Sequence, residues 1–165
     1  MKTKAELCVE IAKDVLLQIK SKKIVAEAGV YFILKTKSQF KGKQLQEVLP
    51  RIKKCEVCAL GSLFYSFINK HNDFKIDDEG LDMTSFHHSD MRSRITMFPI
   101  ANLELIECAF ENRDVYDSCE NRGHYAWKTI IKAKKYRGIN LLLNDEKALI
   151  HIMKNIIRNK GTFKP

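Results

Sequence analysis

Between Cys55 and His71 the chain is apolar on nearly every side. Val57, Cys58, Leu60, Leu63, Phe64, Phe67 and Ile68 leave no continuous polar face once the segment is wound into a helix. Such a helix cannot lie on a surface; it belongs in the centre of a bundle. Ala59, Gly61 and Ser62 are small enough to let a neighbour approach closely. The rest of the chain must therefore supply amphipathic helices to surround it. At 165 residues and 45% hydrophobic content there is material for one such domain, one that buries roughly 70% of the surface its unfolded form exposes. Seven glycines and three prolines exclude collagen-like and low-complexity readings, and five cysteines do not make a disulfide scaffold.

The amphipathic partners are legible. From Lys4 to about Lys20, Leu7, Ile11, Val15, Leu16 and Ile19 recur at helical spacing, with Glu10, Lys13, Asp14 and Gln18 assigned to the other side. Ser89 can cap a short helix ending near Phe98. Pro99 then opens another through Glu111, with Leu103, Ile106 and Phe110 inward. His124 to Tyr136 carries Trp127, Ile130 and Ile131. The last helix has the fullest signature: Asn144 as cap, Asp145 and Glu146 in the first turn, Leu149, Ile152, Met153, Ile156 and Ile157 as core, and Gly161 as stop. Gln44 to Leu49 reads as a helical turn halted by Pro50. Ile24 to Leu34, rich in β-branched and aromatic residues around Gly29, is the best strand candidate. Asn72 to Ser89 and Asn112 to Gly123 read as polar connections. The expectation is a mostly α protein, a single domain over residues 1–165, built as a bundle of five or six helices with a minor β element near residues 24–34.

Charge is unevenly spread. Residues 1–54 hold 13 Lys/Arg against 5 Asp/Glu (+8), residues 55–121 hold 5 against 13 (−8), and residues 122–165 hold 11 against 2 (+9). Two basic ends flank an acidic middle, which either neutralise one another in the fold or form opposed faces. No run approaches the ~20 apolar residues needed to cross a bilayer. The first twenty residues interleave Glu6, Glu10, Lys13 and Asp14 with apolar positions, unlike a signal peptide. A cytoplasmic protein with free thiols and no membrane partner is expected.

Cys55-Glu56-Val57-Cys58 has the spacing of a thiolate pair, and His87-His88-Ser89-Asp90 puts two imidazoles beside a carboxylate. Together Cys55, Cys58, His87 and His88 are the raw material of a metal-dependent hydrolase. The plainer reading is that the cysteines pack as small apolar residues at the start of a buried helix and the histidines lie at a solvated helix end. Zinc would need a second matched pair, which the sequence lacks, and no cofactor is expected. Neither a glycine-rich phosphate loop nor a G-x-S-x-G or H-E-x-x-H pattern is present.

Basic stripes are the stronger feature. On the last helix Lys147, His151, Lys154 and Arg158 fall at intervals of four, three and four, opposite the apolar face. On the preceding one His124, Lys128, Lys132 and Lys135 do the same. Two such stripes could form a face for an acidic protein, or for nucleic acid or a nucleotide phosphate, with Tyr125 and Trp127 stacking on bases. The plain alternative is that lysines merely solvate outer helix faces.

Three segments carry a resemblance: Cys55-Glu56-Val57-Cys58-Ala59-Leu60-Gly61-Ser62-Leu63-Phe64, then Leu103-Glu104-Leu105-Ile106-Glu107-Cys108-Ala109-Phe110-Glu111, then Met153-Lys154-Asn155-Ile156-Ile157 with Gly161-Thr162-Phe163. With Ala12-Lys13-Asp14-Val15 they resemble a group of small uncharacterised proteins common in bacteriophage and prophage gene sets. No site residues come with that resemblance. It implies a setting, in which small accessory proteins bind host machinery, including defence systems. The expected function is a non-enzymatic binding protein that modulates or inhibits a host protein through a charged surface. Nucleic-acid or nucleotide-phosphate binding is the first alternative, and the metal-dependent hydrolase the second.

Overall fold

The computed structural model describes residues 2–29, 32–33, 45–51, 54–71, 92–111, 128–129, 131–133, 136 and 144–165. Helix α1 runs Lys4–Lys20. Its first turn is closed by a reciprocal cap in which Thr3 Oγ1 accepts from the Glu6 amide at 3.2 Å and Glu6 Oε2 accepts from the Thr3 amide at 2.7 Å. The chain leaves α1 through Lys22 in the left-handed region (φ 58), with the Lys22 and Lys23 amides bonding back to Ile19 and Gln18. Strand β1 (Ile24–Ala26) follows, then β2 (Phe32–Ile33), the short helix α2 (Leu45–Val48) and strand β3 (Cys55–Val57). Leu49–Arg51, which includes Pro50, is a 3-10 turn that tightens the end of α2 rather than stopping it at Leu49.

β3 corrects the sequence reading, which placed Cys55 at the start of a helix. It is the middle strand of a three-stranded sheet of order β1-β3-β2, parallel to β1 and antiparallel to β2, with Ile24 opposite Cys55 and Phe32 opposite Val57. Cys55 and Val57 point inward and Glu56 outward, an alternation of period two that is too short to stand out beside the helical run after it. The expected β element at residues 24–34 is present, with Gly29 at φ 82 between its two strands.

Helix α3 (Ala59–His71) is the surrounded helix that the sequence requires: Ala59 through Ser66 are all buried, as is Ile68. Residues 92–94 are helical, and after Pro99 helix α4 spans Ile100–Glu111, with Leu103, Ile106 and Phe110 inward. Residues 128–129, 131–133 and 136 are also helical. Helix α5 (Asp145–Arg158) is capped by Asn144 Oδ1, which accepts from the Lys147 amide at 2.9 Å. Among the described residues the fold is mostly α with this small sheet. One buried cluster runs from Cys8 of α1 to Phe163 near the C-terminus, and α1 packs chiefly against α5 and α3. No helix among the described residues is long and apolar enough to cross a membrane.

Two polar placements differ from the periodic pattern. Asp14, assigned to the outer side of α1, is buried, because the end of α3 lies over it and Lys70 Nζ reaches its carboxylate at 3.3 Å. Ile131, read with the apolar residues of its segment, is instead 49% exposed. Gly161 ends α5 at φ 95, and a Cβ there would lie 2.5 Å from the Ala5 carbonyl oxygen, so only glycine fits where the C-terminal chain crosses α1. Beyond it, buried Asn102 exchanges two hydrogen bonds with the Phe163 backbone and Asn155 exchanges two with Lys164. These pairs dock the C-terminal chain between α4 and α5.

Candidate anion-binding face

Helix α5 sorts its side chains by the angle of roughly 100° that each residue advances. Leu149, Ile152, Met153 and Ile156 fall on one side and are buried, while Lys147, His151, Lys154 and Arg158 fall within an arc of about 60° on the other and are exposed. Among the described residues no carboxylate forms a salt bridge with Lys147, Lys154 or Arg158. The ion pairs lie elsewhere: Lys2 with Glu10, Lys54 with Glu56, Lys70 with Asp14, and Arg92 with Glu104 and Glu107. Like charges at a spacing of four, such as Lys154 and Arg158, destabilise a helix by about 0.2–0.5 kcal/mol. His151 is held by Tyr136 and Arg158 suits the negative end of the helix, so within the row it is Lys147 and Lys154 that have no stabilising partner among the described residues.

Lys128 and Lys132 are exposed as well. Their segment is fastened to α5 by Tyr136, whose hydroxyl lies 2.6 Å from His151 Nδ1 and whose ring meets that of Phe163 edge-on at 4.9 Å. Burial pushes the Tyr136 phenol up to about 12, with the nearby Arg158 charge acting the other way. Tyr136 thus sits among His151, Arg158 and the docked C-terminal chain. The sequence reading treated it only as the end of a segment; no local pattern marks a tyrosine that pairs with a histidine fifteen residues on. Lys135, Tyr125 and Trp127 lie outside the described residues, as do His87 and His88.

Cys55 and Cys58 do not form a joint site. Cys55, on β3, is buried near Tyr65 of α3, whereas the Cys58 thiol faces α4 near Glu107 and Glu111 and accepts the Gly61 amide at 3.4 Å. Burial pushes both thiols up, and the neighbouring carboxylates push the same way: Glu56 for Cys55, Glu111 and Glu107 for Cys58. Both are protonated and sealed at neutral pH. Among the described residues no three His, Cys, Asp or Glu side chains converge to hold a metal ion. On the α4 side of Cys58, Arg92 reaches Glu104 at 3.5 Å and forms a short pair with Glu107, itself 1% exposed.

What the arrangement offers chemically is an exposed cationic surface on a rigid helix. No family model, curated protein or solved structure matches the chain.

Proposed function

We propose that the protein is a non-enzymatic binding protein that engages an acidic surface of a partner protein through the row Lys147, His151, Lys154 and Arg158, with Lys128 and Lys132 beside it. The observation that carries this reading is the row itself: Lys147, Lys154 and Arg158 exposed on one helix face with His151 among them, and no salt-bridge partner for the three cations among the described residues. Complementary charge of this kind steers association and fixes orientation. The resemblance to phage-encoded accessory proteins supplies the setting, in which the partner is a host protein such as a component of a defence system, and binding modulates or inhibits it.

Nucleic acid or a nucleotide phosphate is the competing partner for the same surface. Tyr136 and Phe163, the described aromatic residues beside the row, are buried, and the stacking candidates Tyr125 and Trp127 lie outside the described residues. Capture from bacterial lysate with tagged protein, run with and without nuclease, separates the two. A stoichiometric protein retained after nuclease treatment is the expected result. Nucleic acid alone, released by nuclease or by moderate salt, would transfer the surface to the phosphate reading.

A further inference from the structure

A groove of about 840 Å³ lies over the outer side of α1, away from the buried pair at α4; four of its twelve lining residues are apolar, and the stems of the charged ones add further carbon surface. Ala5, Val9 and Leu17 contribute from α1, at intervals of four and eight residues, and Ile157 contributes from α5. Leu17 is 60% exposed, among the most exposed large apolar side chains of the described residues. The walls are the C-terminal ends of α3, at Lys70, and of α5, at Ile157 and Lys160. From Ala5 to Leu17 the groove follows α1 for about 18 Å, the length of three helical turns. Residues on α1 at these spacings form a ridge against which another helix packs.

The charge left over in the groove identifies the occupant. Two of its three carboxylates are ion-paired, Glu10 with Lys2 at 2.7 Å and Asp14 with Lys70 at 3.3 Å, while Glu6 accepts from Thr3 in the helix cap and keeps its negative charge. Lys13 and Lys160 also line the groove and have no ion-pair partner among the described residues. Four lysines thus face three carboxylates, an excess of one positive charge, and it flanks an apolar strip. The groove meets α5 only at its C-terminal end, through Ile157 and, just beyond the helix, Lys160, and none of the row residues lines it.

We propose that this groove docks an amphipathic helix of an acidic partner protein, with leucine-like side chains seated on Val9, Leu17 and Ile157 and carboxylates paired with Lys13 and Lys160. The proposal rests on reading the chain as a protein-binding module, but it does not require the α5 row to be the contact.

The test uses the full chain and a synthetic helical peptide of about four turns, with leucines on one face and glutamates on the other, beside a counterpart carrying lysines in place of the glutamates. Backbone amide resonances are followed by NMR during titration. Saturable shifts centred on Val9, Lys13, Leu17 and Ile157 are expected with the glutamate peptide. Leu17→Glu should weaken binding by about tenfold or more. Because Leu17 is exposed, that variant keeps the wild-type helical content. The double variant Lys147→Glu/Lys154→Glu should bind the peptide within about twofold of wild type. The absence of saturable shifts, or wild-type affinity in Leu17→Glu, would overturn the groove as a docking site, and equal binding of the lysine peptide would overturn the acidic partner. If the peptide fails while lysate capture still depends on Lys147 and Lys154, the groove falls and the row stands. If peptide binding survives while capture ignores the row, the row falls and the groove stands.

Discussion

Two regions draw attention in the sequence, the cysteine pair at Cys55 and Cys58 and the cations of the last helix, and the fold gives them opposite surroundings. The cysteines lie within the packing of β3, α3 and α4, where burial and neighbouring carboxylates keep them protonated. Close by, Arg92 is shared between Glu107 and Glu104. On the outer face of α5, Lys147, Lys154 and Arg158 stand in solvent with no carboxylate assigned to them among the described residues. The comparison teaches that spacing proposes a chemistry and surroundings decide it. A thiol pair without access or a lowered pKa is packing, whereas cations that the fold leaves unbalanced are available to a partner.

If that division holds, substitutions in the interior cost stability and substitutions on the row do not. The largest effect should come from Glu107→Ala, which takes from partly buried Arg92 its tighter partner and leaves only the longer pair with Glu104. A loss of about 3 kcal/mol is expected, near the low end for a broken buried pair because Glu104 remains, and urea unfolding measures it. Glu107→Gln, which retains shape but not charge, should fall between that variant and wild type. Gly161→Ala comes next. It forces a Cβ into the left-handed region and against the Ala5 carbonyl, so a loss of about 2 kcal/mol is expected in the same assay.

A smaller effect is expected at alkaline pH. The Tyr136 phenol titrates at about 12 in the folded chain, above its ordinary value near 10, and Cys8 is likewise pushed up to about 11, from 9.0, by burial. In both, the folded state holds its proton more tightly than the unfolded state does. Their contribution is complete below the unfolded values and is lost as pH rises through the folded ones. Stability should therefore decline steadily between about pH 9 and pH 12, less steeply in Tyr136→Phe. Peptide-level mass spectrometry after iodoacetamide treatment at pH 7 should find Cys55 and Cys58 unmodified until denaturant is added. Modification of either in the folded chain would break the division from the interior side.

How much was legible follows from how local each determinant is. The α5 helix was readable because its cap, its periodicity and its stop all lie within the chain from Asn144 to Gly161. The buried character of α3 is readable because Leu60, Leu63, Phe64, Phe67 and Ile68, with small Ala59, Gly61 and Ser62 between them, leave no charged side. The β3 strand was not, because its identity depends on pairing with Ile24–Ala26 some thirty residues earlier and with Phe32–Ile33. Asp14 was misplaced for the same reason: its partner Lys70 belongs to another helix. At the candidate site the cations of α5 came directly from spacing. The contact that joins Lys128 and Lys132 to them, Tyr136 with His151, and the asparagine pairs that dock Phe163 and Lys164 are tertiary events with no sequence period.

The smallest stability change and the largest binding change should occur in the same molecule. In Lys147→Glu/Lys154→Glu the thermal unfolding midpoint should stay within about the shift that corresponds to 0.5 kcal/mol, because both residues are exposed and have no salt-bridge partner among the described residues. Measured on that one variant beside wild type, after nuclease treatment, the unfolding midpoint and the amount of partner protein retained test the account most directly. An unchanged midpoint with the partner lost is the predicted result. An unchanged midpoint with the partner fully retained would contradict the assignment of binding to the α5 row.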